Sequence, residues 1–460
     1  MSSGRLSLEQ LRVAVAEREI DTVVLAATDM QGRLQGKRFH AAHFLDEVVG
    51  HGSEGCDYLL AVDVEMTPVD GYAMSSWSRG YGDLVMIADP ATLHRVPWHA
   101  GTAMALADLS WPDGSPVAAS PRQILRGQLE RLAGHGLTAY AGTELEFVAF
   151  RDSYEQAADR DYRGLVPVNR YNGDYSLLAT ARIEPLLRRI RLAMAGAGLA
   201  PESAKGECNL GQHEITFRYA EALRAADQHT IYKNGVKEIA ASEGLSITFM
   251  AKPNEREGNS CHIHFSLRTS ADDRPVTADG GASGGGGADG VGPVLGAAMA
   301  GVLATLPAFT MLYAPNINSY KRYRAGSFAP TAVRWGVDNR TCALRLVGHG
   351  DRMRVENRVP GADVNPYLAL AAMVAGAVHG IERGLPLEPA VAGNAYLDAD
   401  APRVPGTLRD ALELWQSSDL AVAAFGGGVV DHYANAARVE LAAFDAAITD
   451  WELRRGFERL

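Results

Sequence analysis

The stretch Gly142-Thr143-Glu144-Leu145-Glu146-Phe147-Val148-Ala149-Phe150 decides how this chain is read. Residues two apart on a strand point to the same face. Glu144 and Glu146 therefore project side by side, while Leu145 and Phe147 turn the other way. Two carboxylates at that distance repel, and each raises the other's pKa. Either a cation sits between or beside them, or the segment is a solvent-facing edge strand. The polar segments downstream bear on that choice.

Glu207-Cys208-Asn209-Leu210-Gly211-Gln212-His213-Glu214 reads as strand, tight turn and strand, a hairpin able to bring Glu207 and Glu214 to one face. Cys261-His262-Ile263-His264-Phe265-Ser266-Leu267 alternates strictly, with His262, His264 and Ser266 on one side and apolar residues on the other. Arg354-Val355-Glu356-Asn357-Arg358 alternates again, after Lys321-Arg322, Arg340 and Arg345. Each segment alone has a bland reading: exposed hairpin carboxylates, structural histidines, a solvated ion-pair strand. Together they supply five glutamates, two histidines and a set of arginines, mostly on alternating strand faces. Oxygen-rich donors favour Mg²⁺ or Mn²⁺ over zinc. Guanidiniums suit bidentate binding of carboxylate and phosphate. Divalent metal plus arginine is the equipment of phosphoryl transfer, where positioning and charge neutralisation do most of the catalysis.

The chain of 460 residues carries a net charge of -11, which argues against nucleic acid or an anionic membrane surface as the main partner. Its four cysteines, Cys56, Cys208, Cys261 and Cys342, form no C-x-x-C pair and no disulfide framework, so a reduced cytoplasm is the simplest setting. The N-terminus reads as a charged helix and not as a signal peptide. Residues 291–309 are uncharged and long enough to consider as a membrane span, but they are mostly Gly and Ala with two prolines, and read as a buried helix.

In order, the chain predicts a helix at Leu8 to Glu19, strands at Thr22 to Ala27, near Gly36 to Phe39, at Leu84 to Ala88 and at Ala103 to Leu109, and a turn-rich boundary at Pro112 to Pro116. A helix follows from about Gln123 to Gly134. Beyond Glu144, polar strands alternate with helices near 183–197, 222–243, 296–311 and 367–383. The expectation is an α+β protein with an N-terminal domain over 1–112 and a second domain over 113–460. Gly280 to Gly290 is low-complexity and reads as a mobile loop. It holds a formal G-x-G-x-x-G at Gly285, Gly287 and Gly290, but no strand leads into it, so a dinucleotide site is not expected. No P-loop motif is present.

From about Asp21 to the C-terminus these motifs, in this order, resemble the type I-like glutamine synthetase family. They are Glu144/Glu146, Glu207 with Gln212-His213-Glu214, Lys252-Pro253, His262/His264/Ser266, Asn318 to Arg322, Asp338 to Thr341 with Arg345, Arg354/Glu356/Arg358, and Asn365-Pro366-Tyr367. The resemblance implies an N-terminal β-grasp domain and a catalytic domain whose curved antiparallel sheet forms a funnel. It also implies a cytoplasmic homo-oligomer, a dodecamer of two hexameric rings with active sites between neighbouring subunits. Two divalent ions, Mg²⁺ or Mn²⁺, would be held by Glu146, Glu207 and Glu214 and by Glu144, His262 and Glu356. Glutamate would bind at Glu146, Gly258, Arg322 and Arg358. ATP would lie against Glu207, Tyr219, His264, Ser266, Arg345 and Arg354. Arg340 and Arg345 would stabilise the transferring phosphoryl group. Glutamate's γ-carboxylate would be phosphorylated by ATP, and an amine would then displace phosphate.

One departure bears on the nucleophile. Where the family places a flap glutamate, immediately before Ala329-Pro330, this chain has Phe328. An aromatic ring neither accepts a proton nor attracts NH₄⁺ as a carboxylate does. The ammonium-site aspartate segment is also reproduced only with a gap around Asp70 to Trp77, although Asp83 matches its second aspartate, a catalytic position. The glutamate loop reads Glu257-Gly258 in place of Asn-Gly, and Tyr396 falls at the family's regulatory tyrosine in altered surroundings, so that modification is not expected. The sequence therefore points to the γ-glutamyl-amine ligase branch, joining glutamate to ethanolamine or a similar short amine, with a polyamine next. Phe328 would form the amine pocket, beside Trp77 or Tyr72 of a neighbour. The alternatives are a true glutamine synthetase using ammonia and a catalytically silent nitrogen regulator, which intact ligands argue against.

Overall fold

The computed structural model describes residues 4–277 and 290–460. The glycine-rich expectation at Gly280 to Gly290 falls, but for Gly290, outside the described residues. The chain builds two sheets. The first holds β1 (Thr22–Thr28), β2 (Leu34–His40), β3 (Ser53–Cys56), β4 (Asp83–Ala88), β5 (His94–Arg95) and β6 (Thr102–Ser110), in the order β2-β1-β6-β4-β3 with β5 beside β6. β1 pairs parallel with β6 and antiparallel with β2. Its sequence, Thr-Val-Val-Leu-Ala-Ala-Thr, suits a central strand because β-branched and aliphatic side chains fit a buried pleated surface.

The second sheet holds β7 (Leu137–Phe150), β8 (Pro201–Gly206), β9 (Gln212–Phe217), β10 (Ala220–Glu221), β11 (Ser246–Thr248), β12 (Cys261–Thr269), β13 (Trp335–Val337), β14 (Leu344–Val347) and β15 (Arg354–Asn357). Its order is β13-β14-β15-β12-β7-β9-β8, with β10 and β11 also paired to β7. β7 is thus central, which removes the edge-strand reading of Glu144 and Glu146. Leu145 and Phe147 are buried in the core beneath it.

The expected helices form within a few residues of their predicted ends, at Leu8–Ala16, Pro121–Ala133, Glu184–Gly196, Ala222–Ser242, Pro293–Tyr313 and Pro366–Arg383. Prolines at the first turns of the second, fifth and sixth cost no hydrogen bond there. Pro293–Tyr313 is long and apolar enough to cross a membrane by length and composition, yet 61% of that stretch is buried inside the protein.

The N-terminal sheet is fastened to the helices by one buried guanidinium. Arg122 donates to Asp227 at 3.0 Å, to Asp108 at 2.6 Å and to Asp89 at 2.7 Å, and Tyr367 donates to Asp227 at 2.7 Å. Five charged or polar groups from both parts of the chain thereby satisfy one another out of water.

Candidate active site

The register of the second sheet assembles the site. Lys205 lies opposite Glu214, Glu214 opposite Glu146, and His262 opposite Glu144. Glu356 lies opposite His264 on one side and Arg345 on the other. Directly opposed side chains on one face stand about 5 Å apart, so strands β8, β9, β7, β12, β15 and β14 lay a continuous polar row over an apolar underside. A cavity of about 280 Å³ opens on this row. Glu144, Glu146, Glu207, Glu214, His262 and Glu356 all line it, as do Gly258, Arg322, Phe328, Arg340, Arg345 and Arg358.

Carboxylate oxygens of Glu146, Glu207 and Glu214 lie within 4.8 Å of one another. Burial, and then the charge of Glu207, pushes the Glu146 carboxyl up to about 7. Burial and the charges of Glu144 and Glu146 push Glu214 well above the usual carboxylate range. Glu207 is raised by burial, although Lys205 pairs with it and opposes the rise. Gln212 donates to Glu146 at 3.1 Å and the Ser260 amide donates at 2.7 Å, fixing the carboxylate without neutralising it. Three buried acids share one ammonium, so this trio has the chemistry of a divalent-cation site.

The second group is different in balance. Glu144, His264 and Glu356 also offer ligand atoms within 4.8 Å. His264 is bonded to Glu144 at 2.8 Å, and His262 Nδ1 lies 3.4 Å from both Glu144 and Glu356. Burial drives the His262 imidazole down to about 4, with Arg358 adding to the effect, so the ring is neutral at pH 7. Burial raises Glu144, but hydrogen bonds from His262 and His264 outweigh it and hold the carboxyl well below its usual range. Glu356 is already met by Arg345 at 2.8 Å and Arg358 at 2.5 Å. The need for an added cation is therefore strongest at Glu146, Glu207 and Glu214. Sequence reasoning put His262 alone with Glu144 and Glu356, whereas His264 sits equally close.

The arginines expected to bind anions are held by their own contacts. Arg322 is buried and donates to the Val359 carbonyl at 3.0 Å. A Cβ at position 258 would stand 2.5 Å from the Ala251 carbonyl and 2.6 Å from Arg322 Cγ, which is why glycine is required beside that guanidinium. Arg345 also pairs with Asp338.

Glu144 lines a second groove of about 440 Å³, together with Tyr219, His264, Ser266 and Arg354. Tyr219 is half-exposed, packs edge-on to Tyr140 at 6.0 Å and accepts from Arg268 at 3.1 Å. Arg354 donates to His264 Nδ1 at 3.1 Å. The residues expected to take ATP therefore share one groove that meets the carboxylate row at Glu144, except Glu207 and Arg345, which lie in the first cavity.

Phe328 sits at the cavity rim, 59% exposed, with φ +59°. That left-handed backbone is costly for a bulky residue. It is held from both sides: Tyr396 donates to the Ala329 carbonyl at 3.0 Å, and Arg358 donates to the Phe328 carbonyl at 3.4 Å. Asp83 is exposed at the start of β4, on the N-terminal sheet and outside both cavities. Tyr72 does not face outward as one expectation had it. It is buried, with its ring 4.6 Å from that of His432, because this part of the N-terminal region packs on the helix Gly427–Ala446. Trp77, by contrast, is 75% exposed. Lys205, Gln212 as a tether, and Tyr396 as a latch were not found from the sequence. Lys205 carried a readable signal, alternating with Glu207.

The model of the glutamine synthetase catalytic domain matches residues 118–456. The chain belongs to the glutamine synthetase family. It is 66% identical over 99% of its length to gamma-glutamylethanolamide synthetase GlnA4 of Streptomyces coelicolor, covering 96% of that protein. It is 36% identical to glutamate–isopropylamine ligase of a Pseudomonas species, with 97% of both chains covered. Among solved structures, a GmaS/ADP complex superposes with a TM-score of 0.83 at 26% identity, over 97% of this chain and 99% of that one. The fold of this family member is α+β, with the curled catalytic sheet described above.

Proposed function

We propose that the protein is an ATP-dependent ligase that joins L-glutamate to a short organic amine, ethanolamine first, through γ-glutamyl phosphate. The observation that carries this reading is Phe328 at the rim of a cavity otherwise equipped with carboxylates and guanidiniums. Similarity to an ethanolamide synthetase and to an isopropylamine ligase supports it.

In this reading Arg322 and Arg358, beside Gly258 and Glu146, hold glutamate. Tyr219, Ser266, His264 and Arg354 hold ATP in the adjoining groove, with Glu207 and Arg345 nearer its phosphates. A glutamate γ-oxygen bonds to the ATP γ-phosphorus as the bond to ADP breaks. The neutral amine nitrogen then bonds to the γ-carbon, phosphate leaves with the activating oxygen, and the proton lost from nitrogen passes to the departing phosphate. Arg340 and Arg345 stabilise charge on the moving phosphoryl group. The family works with ATP and divalent metal, and Glu146, Glu207 and Glu214, with Glu144, Glu356 and His262 or His264, fit such ions. When bound, the ions would neutralise repulsion between two anionic reactants. Phe328 takes no proton, so it favours a nucleophile with an apolar stem over ammonium.

Two hexameric rings, a cytoplasmic location and two metal ions per site remain part of the proposal. Within it, the exposed Trp77 and Asp83 of one subunit would close the amine side of the next.

The test supplies glutamate, ATP and Mg²⁺ and measures phosphate release with ethanolamine, isopropylamine, putrescine and ammonium. Ethanolamine is expected to give the highest kcat/KM. Equal or faster turnover with ammonium overturns the amine reading, and no turnover with any nucleophile restores the silent-regulator alternative.

A further inference from the structure

A second cavity is larger and more apolar than the catalytic one. A cavity of about 980 Å³ lies between the two parts of the chain, with Arg33 and Val64 on one side and Phe249, Leu210 and Lys237 on the other. Its walls are predominantly apolar. Its charged side chains are four basic and two acidic, Arg33, Lys233, Lys237 and Arg256 against Glu255 and Asp363, in a protein whose net charge is -11. Glu255 is exposed, and Asp363 accepts from Ser319 and Asn316 through Oδ2 while its charge acts on Lys233, which leaves Lys237 as the unpaired lysine of the two among the described residues.

The lysines are unequal. Lys233 donates to the Ala362 carbonyl at 2.7 Å and the Val364 carbonyl at 3.2 Å. Lys237 has no hydrogen-bond or salt-bridge partner among the described residues, and its ammonium stands 5.7 Å from the Phe249 ring centroid. It stays accessible through the cavity, yet burial draws its pKa down, and Arg33 adds to the effect. Burial likewise lowers Lys233 to about 8, with Lys237 repelling it. An exposed ammonium with no hydrogen-bond or salt-bridge partner among the described residues, at the mouth of an apolar cavity, offers a charge-assisted contact to an anion seated there.

One wall is chemically connected to the catalytic cavity. Asn254, which lines this cavity, is bonded to Asn209 Nδ2 at 2.9 Å, and the same amide donates to the Glu257 carbonyl at 2.6 Å. Glu257 and Gly258 line the catalytic cavity. A ligand against Asn254 and Leu210 therefore presses on the segment that carries Gly258.

We propose that this interdomain cavity binds a small carboxylate with an apolar body, its anion on Lys237, and that occupancy changes glutamate binding through the segment from Asn254 to Gly258. The second clause rests on the function proposed above, and the first does not. A second copy of the chain is a poorer occupant, since the apolar walls are concave and Lys233 and Arg33 are partly buried in them.

The experiment uses the intact assembly and two probes with the same apolar body, 4-phenylbutyrate and 4-phenylbutylamine, read by calorimetry without substrates. 4-Phenylbutyrate is expected to bind and the amine not to. Lys237→Met should weaken binding by about tenfold or more, Lys237→Glu should abolish it, and Lys237→Arg should retain it. Equal binding of both probes, or unchanged affinity in Lys237→Met, overturns the site. So does dissociation of the assembly by 4-phenylbutyrate, which would assign the cavity to an interface between copies. Given binding, KM for glutamate is then measured with and without 4-phenylbutyrate. An unchanged KM overturns the coupling alone, and failure of all turnover bears only on the ligase reading.

Discussion

Replacing Tyr396 with phenylalanine removes one donor from the loop that carries Phe328. The Tyr396 hydroxyl donates to Ala329 at 3.0 Å, one residue beyond a backbone held at φ +59°. A left-handed non-glycine residue stores roughly 1–3 kcal/mol, and a neutral hydrogen bond returns about 0.5–1.5 kcal/mol net. The Arg358 bond to the Phe328 carbonyl is long, at 3.4 Å, so the tyrosine is the better of two restraints on this strain. Losing it should shift the loop toward relaxed conformers by roughly 2- to 13-fold, at 1.36 kcal/mol per tenfold. An amine that binds only the latched loop has its apparent affinity reduced by at most that factor, reached when the latched form is the minor one. Steady-state kinetics on Tyr396→Phe should show KM for ethanolamine rising by up to about 13-fold. KM for ATP should stay constant, because Tyr219, Ser266 and Arg354 lie in the other groove. If KM for ethanolamine does not move, or KM for ATP rises in step with it, Tyr396 is not a latch for the amine pocket.

Phe328→Glu should move the ethanolamine-to-ammonium ratio of kcat/KM toward ammonium by about tenfold or more, since a carboxylate both attracts a cation and accepts a proton; parallel rates with both nucleophiles check it. Glu146→Gln should remove ATP turnover while size-exclusion chromatography shows the assembly unchanged, and it should raise the melting temperature without metal because one of three mutually repelling buried charges is gone. The pH dependence has a definite sign. Glu146 is raised from 4.5 to about 7, so the metal-free fold carries no penalty from it below about pH 4.5 and the full penalty above about pH 7. The melting-temperature increase produced by Mg²⁺ should therefore grow between pH 5 and pH 8, and a constant increase would count against the carboxylate site. Arg122→Met should destabilise by about 3 kcal/mol in denaturant unfolding, because it leaves buried Asp227 without a cation while Arg126 still pairs with Asp89 and Asp108.

What the sequence made legible follows from which contacts are periodic. Glu144, Glu146, His262, His264 and Glu356 sit on regular strands, so alternation alone predicted a common face within each strand, and antiparallel register then converted three local patterns into one row. Lys205 escaped notice although its strand obeys the same rule, because a lone lysine two residues from a glutamate also describes any solvated hairpin. Tyr396 carried no signal of this kind. Its partner is 67 positions away in a loop, and its role depends on a backbone angle at Phe328 that composition does not encode. Tyr72 went wrong for a related reason. An aromatic in a polar segment resembles a lid residue until the helix that buries it, 360 positions downstream, is in place. Of these two tyrosines, Tyr396 bonds to the Phe328 loop and Tyr72 packs on His432. The carboxylate row is written into strands, whereas in the proposed ligase the choice of nucleophile would rest on Phe328 and on the loop contacts that hold it. A specificity change at that rim costs few residues and leaves the strand pattern untouched, which is why Phe328 could be singled out as a departure while the latch behind it could not.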